Sequence, residues 1–283
     1  MVAWVLYYYN PSSAAAGIFL VLFGLGALLH FYQLVRTRTW FMIPFLIGAI
    51  LETVGYVGRL LSSFQSPNWT TGPYIIQSAL LLIAPAFFAA SIYMELGRIV
   101  RVLEAEKLAV VPVRWLTAIF VTGDVLSFLM QASGAGLMVQ NTSNPDMGEH
   151  IIVGGLFVQI IFFGFFFITT MFFQLRIGRS PTSASIDLSS IWKKHLFTLH
   201  ACSILILVRS VVRVVEYLQG YTGFIAVHEV FLYIFDAVLM LAVVICMNFT
   251  HPSEINCLLG RSDWMIRGVK AHKSVPRSGE LPM

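Results

Sequence analysis

Seven apolar runs separated by short polar connections set the terms on which this chain can fold. They fall at approximately 14–35, 40–62, 74–97, 114–136, 150–175, 195–219 and 226–249. Each supplies the roughly 20 residues needed to cross a hydrocarbon layer of about 30 Å. Lipid offers the backbone no water, so a spanning segment must satisfy its own amide groups, and runs of this continuity predict helices. Of the 283 residues, 58% are hydrophobic and only 11% charged, against a charged fraction of about 25% in soluble domains. The expected fold is all-α: a polytopic, seven-transmembrane-helix bundle over residues 1–250 forming one domain. Short connections imply that helices adjacent in sequence pack antiparallel. Residues 251–283 are polar and basic, with Pro276 and Pro282 near the end, and read as a disordered tail.

Orientation is read from lysine and arginine. Of the 18 basic residues, 15 lie on the first, third and fifth connections or in the tail, from Arg36 and Arg38 through Arg98, Arg101, Lys107, Arg114, Arg176, Arg179, Lys193 and Lys194 to Arg261–Arg277. The alternate connections, near 63–73, 137–149 and 220–225, hold none. The positive-inside rule then places the N-terminus outside and the C-terminal tail in the cytosol. Asn68-Trp69-Thr70 and Asn141-Thr142-Ser143 are possible glycosylation acceptors, and both fall on connections assigned to the outside. A third such triplet, Asn248-Phe249-Thr250, sits at a cytosolic helix end where it could not be used. The start of the chain has no basic leader ahead of its first apolar run, so that run reads as a retained span.

The remaining three basic residues, Arg59, Arg209 and Arg213, lie inside apolar runs, as do the acids Glu52, Asp124, Glu216, Glu229 and Asp236. A charge near the bilayer centre costs about 2.5–3.5 kcal/mol on insertion scales, so each must face protein or water. Helical spacing gathers them into stripes: Glu52, Tyr56 and Arg59 on the second helix, Arg209, Arg213 and Glu216 on the sixth, and Glu229, Tyr233 and Asp236 on the seventh, beside His228. Counting about 1.5 Å per residue, Glu52, Asp124 and Asp236 fall near the midplane, with Gln159 level with them. Arg59, Arg213, Glu216 and Glu229 fall near the outer rim, and Arg209 between. Helices 2, 6 and 7 are therefore expected to meet with these stripes facing one another. Arg209 should pair with Glu52 or Asp236, and Arg213 or Arg59 with Glu216 or Glu229. A purely structural network is one reading of such a cluster. Five acids against three bases favours a cavity whose imbalance is answered by solvent or by an amphiphile's head group. Gly48, Gly55 and Gly58, then Gly154, Gly155 and Gly164, permit close helix approach, and Pro85 should kink the third helix and free a carbonyl.

Other chemistries find no support. There is no G-x-x-x-x-G-K-[ST] phosphate loop. His30 and His200 fall toward the inner side of their spans and His150 and His228 at outer ends, which argues against a metal centre or haem. Cys202, Cys246 and Cys257 show no spacing pattern and read as small buried hydrophobes. No cofactor, no nucleic-acid partner and no enzymatic activity are expected. The partners implied are the bilayer and a lipid-like ligand.

Several runs resemble a known family over nearly the whole chain: Tyr9-Asn-Pro-Ser12, Gly48-Ala-Ile-Leu-Glu52-Thr-Val-Gly-Tyr56-Val-Gly-Arg59, Tyr74-Ile-Ile-Gln77, Ala84-Pro85 through Arg98, Phe120-Val-Thr-Gly-Asp124 to Gln131, Val208-Arg209 to Glu216, His228-Glu229 with Phe235-Asp236, and His251-Pro252. Together they resemble the fungal lipid-translocating exporters, seven-span proteins linked to aminosterol resistance, sphingoid-base release and porphyrin uptake. The resemblance implies a fungal source, a plasma-membrane or other endomembrane location, and binding with translocation or export of a sphingoid base or toxic sterol analogue. The candidate ligand-binding set is Glu52, Tyr56, Arg59, Gln77, Asp124, Gln131, Arg209, Arg213, Glu216, His228, Glu229, Tyr233 and Asp236. Glu52, Asp124 and Asp236 would attract a cationic head group, with the three arginines balancing them. The alternative is a seven-helix lipid-sensing receptor or regulator without transport activity.

Overall fold

A computed structural model describes residues 7–140, 145–220 and 223–273, without the side chains of 138–140, 145 and 146. The helices are α1 (Ser13–Thr37), α2 (Ile43–Phe64), α3 (Thr71–Val102), α4 (Val113–Gln140), α5 (Pro145–Arg179), α6 (Ser183–Asp187), α7 (Ser189–Leu218), α8 (Glu229–Leu232), α9 (Leu239–Phe249) and α10 (Ser253–Leu258). Seven helices among the described residues are long and apolar enough to cross a membrane, the seventh running from Glu229 to Leu258 through α8, α9 and α10. The chain is thus built as an integral, multi-pass membrane protein. The helices outrun the apolar segments of the sequence, because once a turn is formed each further residue adds a hydrogen bond at little cost. α3 continues to Val102 and α5 to Arg179, past the ends of the apolar runs at 97 and 175.

Local rules account for the helix ends. Ser12 caps α1 by accepting the Ala15 N–H at 3.3 Å. Arg38 closes the same helix in the left-handed region, with its N–H on the Leu34 carbonyl. Contacts are densest between α4 and α5, between α2 and α3, and between α1 and α2, as short connections require. At Gly58 a Cβ would sit 2.9 Å from the Pro73 carbonyl, and at Gly134 2.6 Å from the Gly148 carbonyl, so these glycines set how near α2 approaches α3 and α4 approaches α5. Gly164 differs from expectation: nothing lies within 4 Å of its Cβ position, and it plays no part in close packing.

Two interruptions mark α3 and the seventh span. Pro85 sits inside α3, and lacking an N–H it cannot bond the carbonyl four residues back, that of Leu81. Between α8 and α9, Tyr233–Val238 form a π-helical turn containing Asp236, a wider turn that rotates the register of everything after it.

The segment after His251 departs from the expected disordered tail. Through Lys273 it carries α10 and a hairpin of β1 (Trp264–Arg267) and β2 (Lys270–Lys273), paired antiparallel. Gly268, at φ 63, turns the hairpin. Ile255 and Ile266 are buried, Ser253 Oγ accepts the Ile266 N–H at 2.8 Å, and the Arg36 guanidinium lies 3.5 Å from the Trp264 ring centroid. A few apolar anchors spaced among charges hold the segment, which is why composition alone reads it as unstructured. Residues 274–283 lie outside the described residues.

Candidate functional site

The charged stripes of the second, sixth and seventh spans converge toward the end of the bundle where Tyr9 lies. Arg209 on α7 pairs through Nε with Asp236 Oδ1 in the π turn. Its Nη2 donates to the Leu81 carbonyl at 2.6 Å, the carbonyl that Pro85 leaves without a helical donor. One guanidinium therefore joins the two interrupted helices. One turn on, Arg213 pairs with Glu216 at 3.0 Å and approaches Asp236 Oδ2 at 3.9 Å. Nearer the rim, Arg59 of α2 pairs with Glu229 at 2.6 Å and donates to the hydroxyls of Tyr233 at 2.9 Å and Tyr9 at 3.1 Å. Glu229 also accepts the Ser12 N–H, at 2.9 and 3.1 Å, and so holds the start of α1. Side chains of Tyr56, Phe19 and Tyr233 stack beneath Arg59, with centroids 5.6 and 5.4 Å apart.

Glu52 takes a different place. It is fully buried, neither of its oxygens has a hydrogen-bond partner, and its charged neighbours are Asp236, Arg209 and Arg213. The Tyr56 hydroxyl one turn away is likewise buried and unpartnered.

Above this charged layer lies a cavity of about 140 Å³. Five tyrosines wall it, Tyr7, Tyr8, Tyr9, Tyr74 and Tyr217, together with Gln77, Glu149, Arg213 and Glu216. Tyr7 donates to Gln77 Oε1 at 2.9 Å and packs edge-on against Trp69 and Tyr74. Burial raises the Tyr7 phenol above its usual value, so the hydroxyl stays protonated and keeps donating. A smaller space of about 30 Å³, lined by Arg209, Arg213, Glu216, His228, Phe231 and Asp236 among others, adjoins it through shared walls. A single water needs about 10–15 Å³ of such space, so the larger space has room for a polar head group.

Of the candidate ligand residues, Gln77, Arg209, Arg213, Glu216, His228 and Asp236 line one or both spaces. Glu52, Tyr56, Arg59, Glu229 and Tyr233 line neither and form the network behind them. Asp124 and Gln131 lie apart. Asp124 accepts from the Tyr93 hydroxyl at 2.9 Å, and Tyr93 packs against Phe120, Phe163 and Phe166. Gln131 donates to Ser127 at 2.7 Å and to Gln159 at 3.5 Å, across the α4–α5 seam. Asp124 falls at the same depth as Asp236, and depth is all that helical counting measures; azimuth around the bundle is set by packing. Asn68 is exposed, and Asn141 lies outside the described residues.

Residues that sequence reasoning missed include Glu149 and the tyrosines at 7, 8, 74 and 217. For Tyr7 and Tyr8 a signal lies in the clustering of Tyr7-Tyr8-Tyr9 ahead of the first span; Glu149, Tyr74 and Tyr217 carry none of that kind. The histidines also gather more than their spacing implied. His30 and His251 ring centroids lie 5.3 Å apart, and His195 bridges Glu95 and Glu254 at the opposite end of the bundle. No metal-binding group of three ligands occurs among the described residues.

The profile of a family described as RTA1 like protein matches residues 45–257. The chain belongs to that family. Protoporphyrin uptake protein 1 of Saccharomyces cerevisiae is 42% identical over 280 residues, covering 87% of this chain and 91% of that protein. Protein RTA1 of the same yeast is 38% identical, covering 87% and 84%. The sphingoid long-chain base transporter RSB1 is 26% identical over 268 residues, covering 82% and 69%. No solved structure matches. The matched span runs from the start of α2 to α10 and contains Glu52, Arg59, Arg209, Arg213, Glu229 and Asp236.

Proposed function

We propose that this member of the RTA1-like family binds an amphiphile carrying an ammonium head group in the tyrosine-walled cavity and moves it across the membrane, with no chemical conversion. The cavity carries the reading: five tyrosine rings with Glu149 and Glu216 in one small space. Aromatic faces attract an ammonium by about 0.5–2 kcal/mol each, depending on desolvation, and carboxylates add charge complementarity. The apolar tail would leave between helices toward lipid. Long-chain bases have this chemistry, and the name of the relative RSB1 supports them as the substrate class.

In this reading the Tyr9 end faces outward, which the distribution of lysine and arginine supports, and the plasma membrane is the site of action. Arg209, by holding the Leu81 carbonyl and Asp236 together, keeps the two interrupted helices in the arrangement seen here. A bound ammonium that competes for Asp236 would release that hold and allow α3 to bend at Pro85. The test is binding of a radiolabelled long-chain base, and of its N-acylated neutral analogue, to purified protein in nanodiscs. The base should bind, the neutral analogue should bind at least tenfold more weakly, and Glu149→Gln should weaken the base alone. Equal binding of base and neutral analogue refutes the ammonium site.

A further inference from the structure

At the end of the bundle opposite the cavity, three elements deliver one histidine and two carboxylates to a single line. His195 of α7 is fully buried, with Nδ1 3.0 Å from Glu95 Oε1 of α3 and Nε2 3.2 Å from Glu254 Oε2 of α10. Glu95 is 1% exposed and its second oxygen has no hydrogen-bond partner; Glu254 is 4% exposed. Beyond Glu254 the line reaches the surface. Lys194 Nζ lies 2.5 Å from Glu254 Oε2 and Arg267 Nε 3.3 Å from Oε1, and these side chains are 46% and 62% exposed. The triad thus runs from an aqueous edge to a dry interior within three residues.

The geometry restricts where protons reside. Two hydrogen bonds, Glu254–His195 and His195–Glu95, need two protons between four heteroatoms. If both carboxylates are ionised, both protons sit on the imidazole. If the imidazole is neutral, it donates from one nitrogen and accepts at the other from a carboxylic acid. A third proton taken up from water at Glu254 can be passed on only by shifting the others toward Glu95, since the ring offers two nitrogens on opposite sides. The arrangement has the form of a relay.

The other ionisable groups around it are few. On α7 there are Lys194 and the Cys202 thiol, which faces Glu95; on α3, Arg98, which faces Glu95 and is itself faced by Arg101 and Arg261; on β1, Arg267. Between α9 and α10 stands His251, with His195 and His30 of α1 as its charged-group neighbours. His30 Nδ1 is 3.2 Å from the side-chain oxygen of Asn248, and His251 Nδ1 accepts the Ser253 N–H at 3.3 Å. Lys194 and Arg267 pair with Glu254, whereas Arg98 is the cation near Glu95, so it is at Glu254 that exposed side chains bond the line.

We propose that Glu254, His195 and Glu95 form a proton-binding relay that exchanges with solvent at Glu254 and delivers the proton to the bundle interior at Glu95. The ligand is a proton, and no covalent bond between heavy atoms changes. Because Glu254 belongs to α10, the relay also ties proton occupancy to the docking of the C-terminal segment. The site stands far from the cavity and is independent of what the cavity binds.

The test is infrared difference spectroscopy on the full-length protein in nanodiscs as pH is lowered from about 8 to about 5, the interval in which histidine–carboxylate systems exchange protons. A carboxyl protonation signal is expected. Glu95→Gln and Glu254→Gln should each remove part of it and shift the remainder, and His195→Asn should split it into two independent titrations. Superposition of all three variants on the unsubstituted protein overturns the relay, and so does a change confined to Glu254→Gln. Should Glu95→Gln fail to fold, histidine nitrogen-15 spectra of the unsubstituted protein decide the matter. Both His195 ring nitrogens should shift together across the interval, and invariance of both refutes the proposal.

Discussion

Replacing Arg209 by methionine tests the claim that one guanidinium ties the Pro85 interruption to the π turn. The substitution keeps an unbranched chain of similar reach but removes both interactions: the ion pair with Asp236 and the bond to the Leu81 carbonyl at 2.6 Å. Removing one partner of a buried pair costs about 3–5 kcal/mol, because the other charge is left behind. Arg213, 3.9 Å from Asp236 Oδ2, can move toward the orphaned carboxylate, which places this loss at the lower end. The orphaned carbonyl adds about 1–3 kcal/mol. That second cost depends on Pro85 lacking an N–H. In a Pro85→Ala background the alanine N–H can bond the Leu81 carbonyl, so Arg209→Met should lose less there. Hydrogen bonds between membrane helices couple by about 0.6 kcal/mol on average and up to about 1.7 kcal/mol, and the double-mutant cycle should return a coupling in that range. The assay is reversible unfolding in mixed micelles for the four proteins of the cycle. Strict additivity, within about 0.3–0.5 kcal/mol, refutes the splice between α3 and α7.

Three further outcomes follow from particular contacts. Gly58→Ala places a Cβ 2.9 Å from a backbone carbonyl of α3, whereas Gly55→Ala meets the flexible end of Leu81 at 2.7 Å; the first should cost about 1–3 kcal/mol and the second less, measured by thermal unfolding. Glu229→Gln keeps an acceptor but removes the charge opposite Arg59 and weakens the hold on the Ser12 N–H; amides of residues 12–16 should exchange hydrogen faster while those of α9 do not change. Arg36→Ala removes the cation–π contact with Trp264, worth about 0.5–1 kcal/mol at an exposed site, and should raise exchange at β1 about two- to fivefold.

The sites of these predictions differ in how far they could be read in advance. Helical spacing plus the cost of an unpaired ion in lipid narrows the partner of Arg209 to Glu52 or Asp236, and those of Arg59 and Arg213 to Glu216 or Glu229; packing selects Asp236, Glu229 and Glu216 respectively. Spacing fixes which side chains share a stripe, and topology fixes their depth. Neither supplies azimuth, and so Asp124, at a matching depth, ends at Tyr93 and apart from the charged network. The freed carbonyl of Leu81 follows from Pro85 alone, yet its partner, 128 residues later in the chain, does not. The π turn leaves no mark in an apolar run, since one extra residue per turn changes register without changing composition.

The sequence by itself determined the seven helices, their order and the polar stripe on each, because lipid leaves a backbone no other way to satisfy its hydrogen bonds and makes every internal charge conspicuous. Only the tertiary structure decided that tyrosines from three separate segments wall one cavity, that Glu52 lies behind it with no hydrogen-bond partner, and that Glu95, His195 and Glu254 form a line. Those groupings arise from contacts between residues tens to hundreds of positions apart, fixed by how helix faces pack against one another, and packing is a property of pairs of surfaces that no single segment encodes.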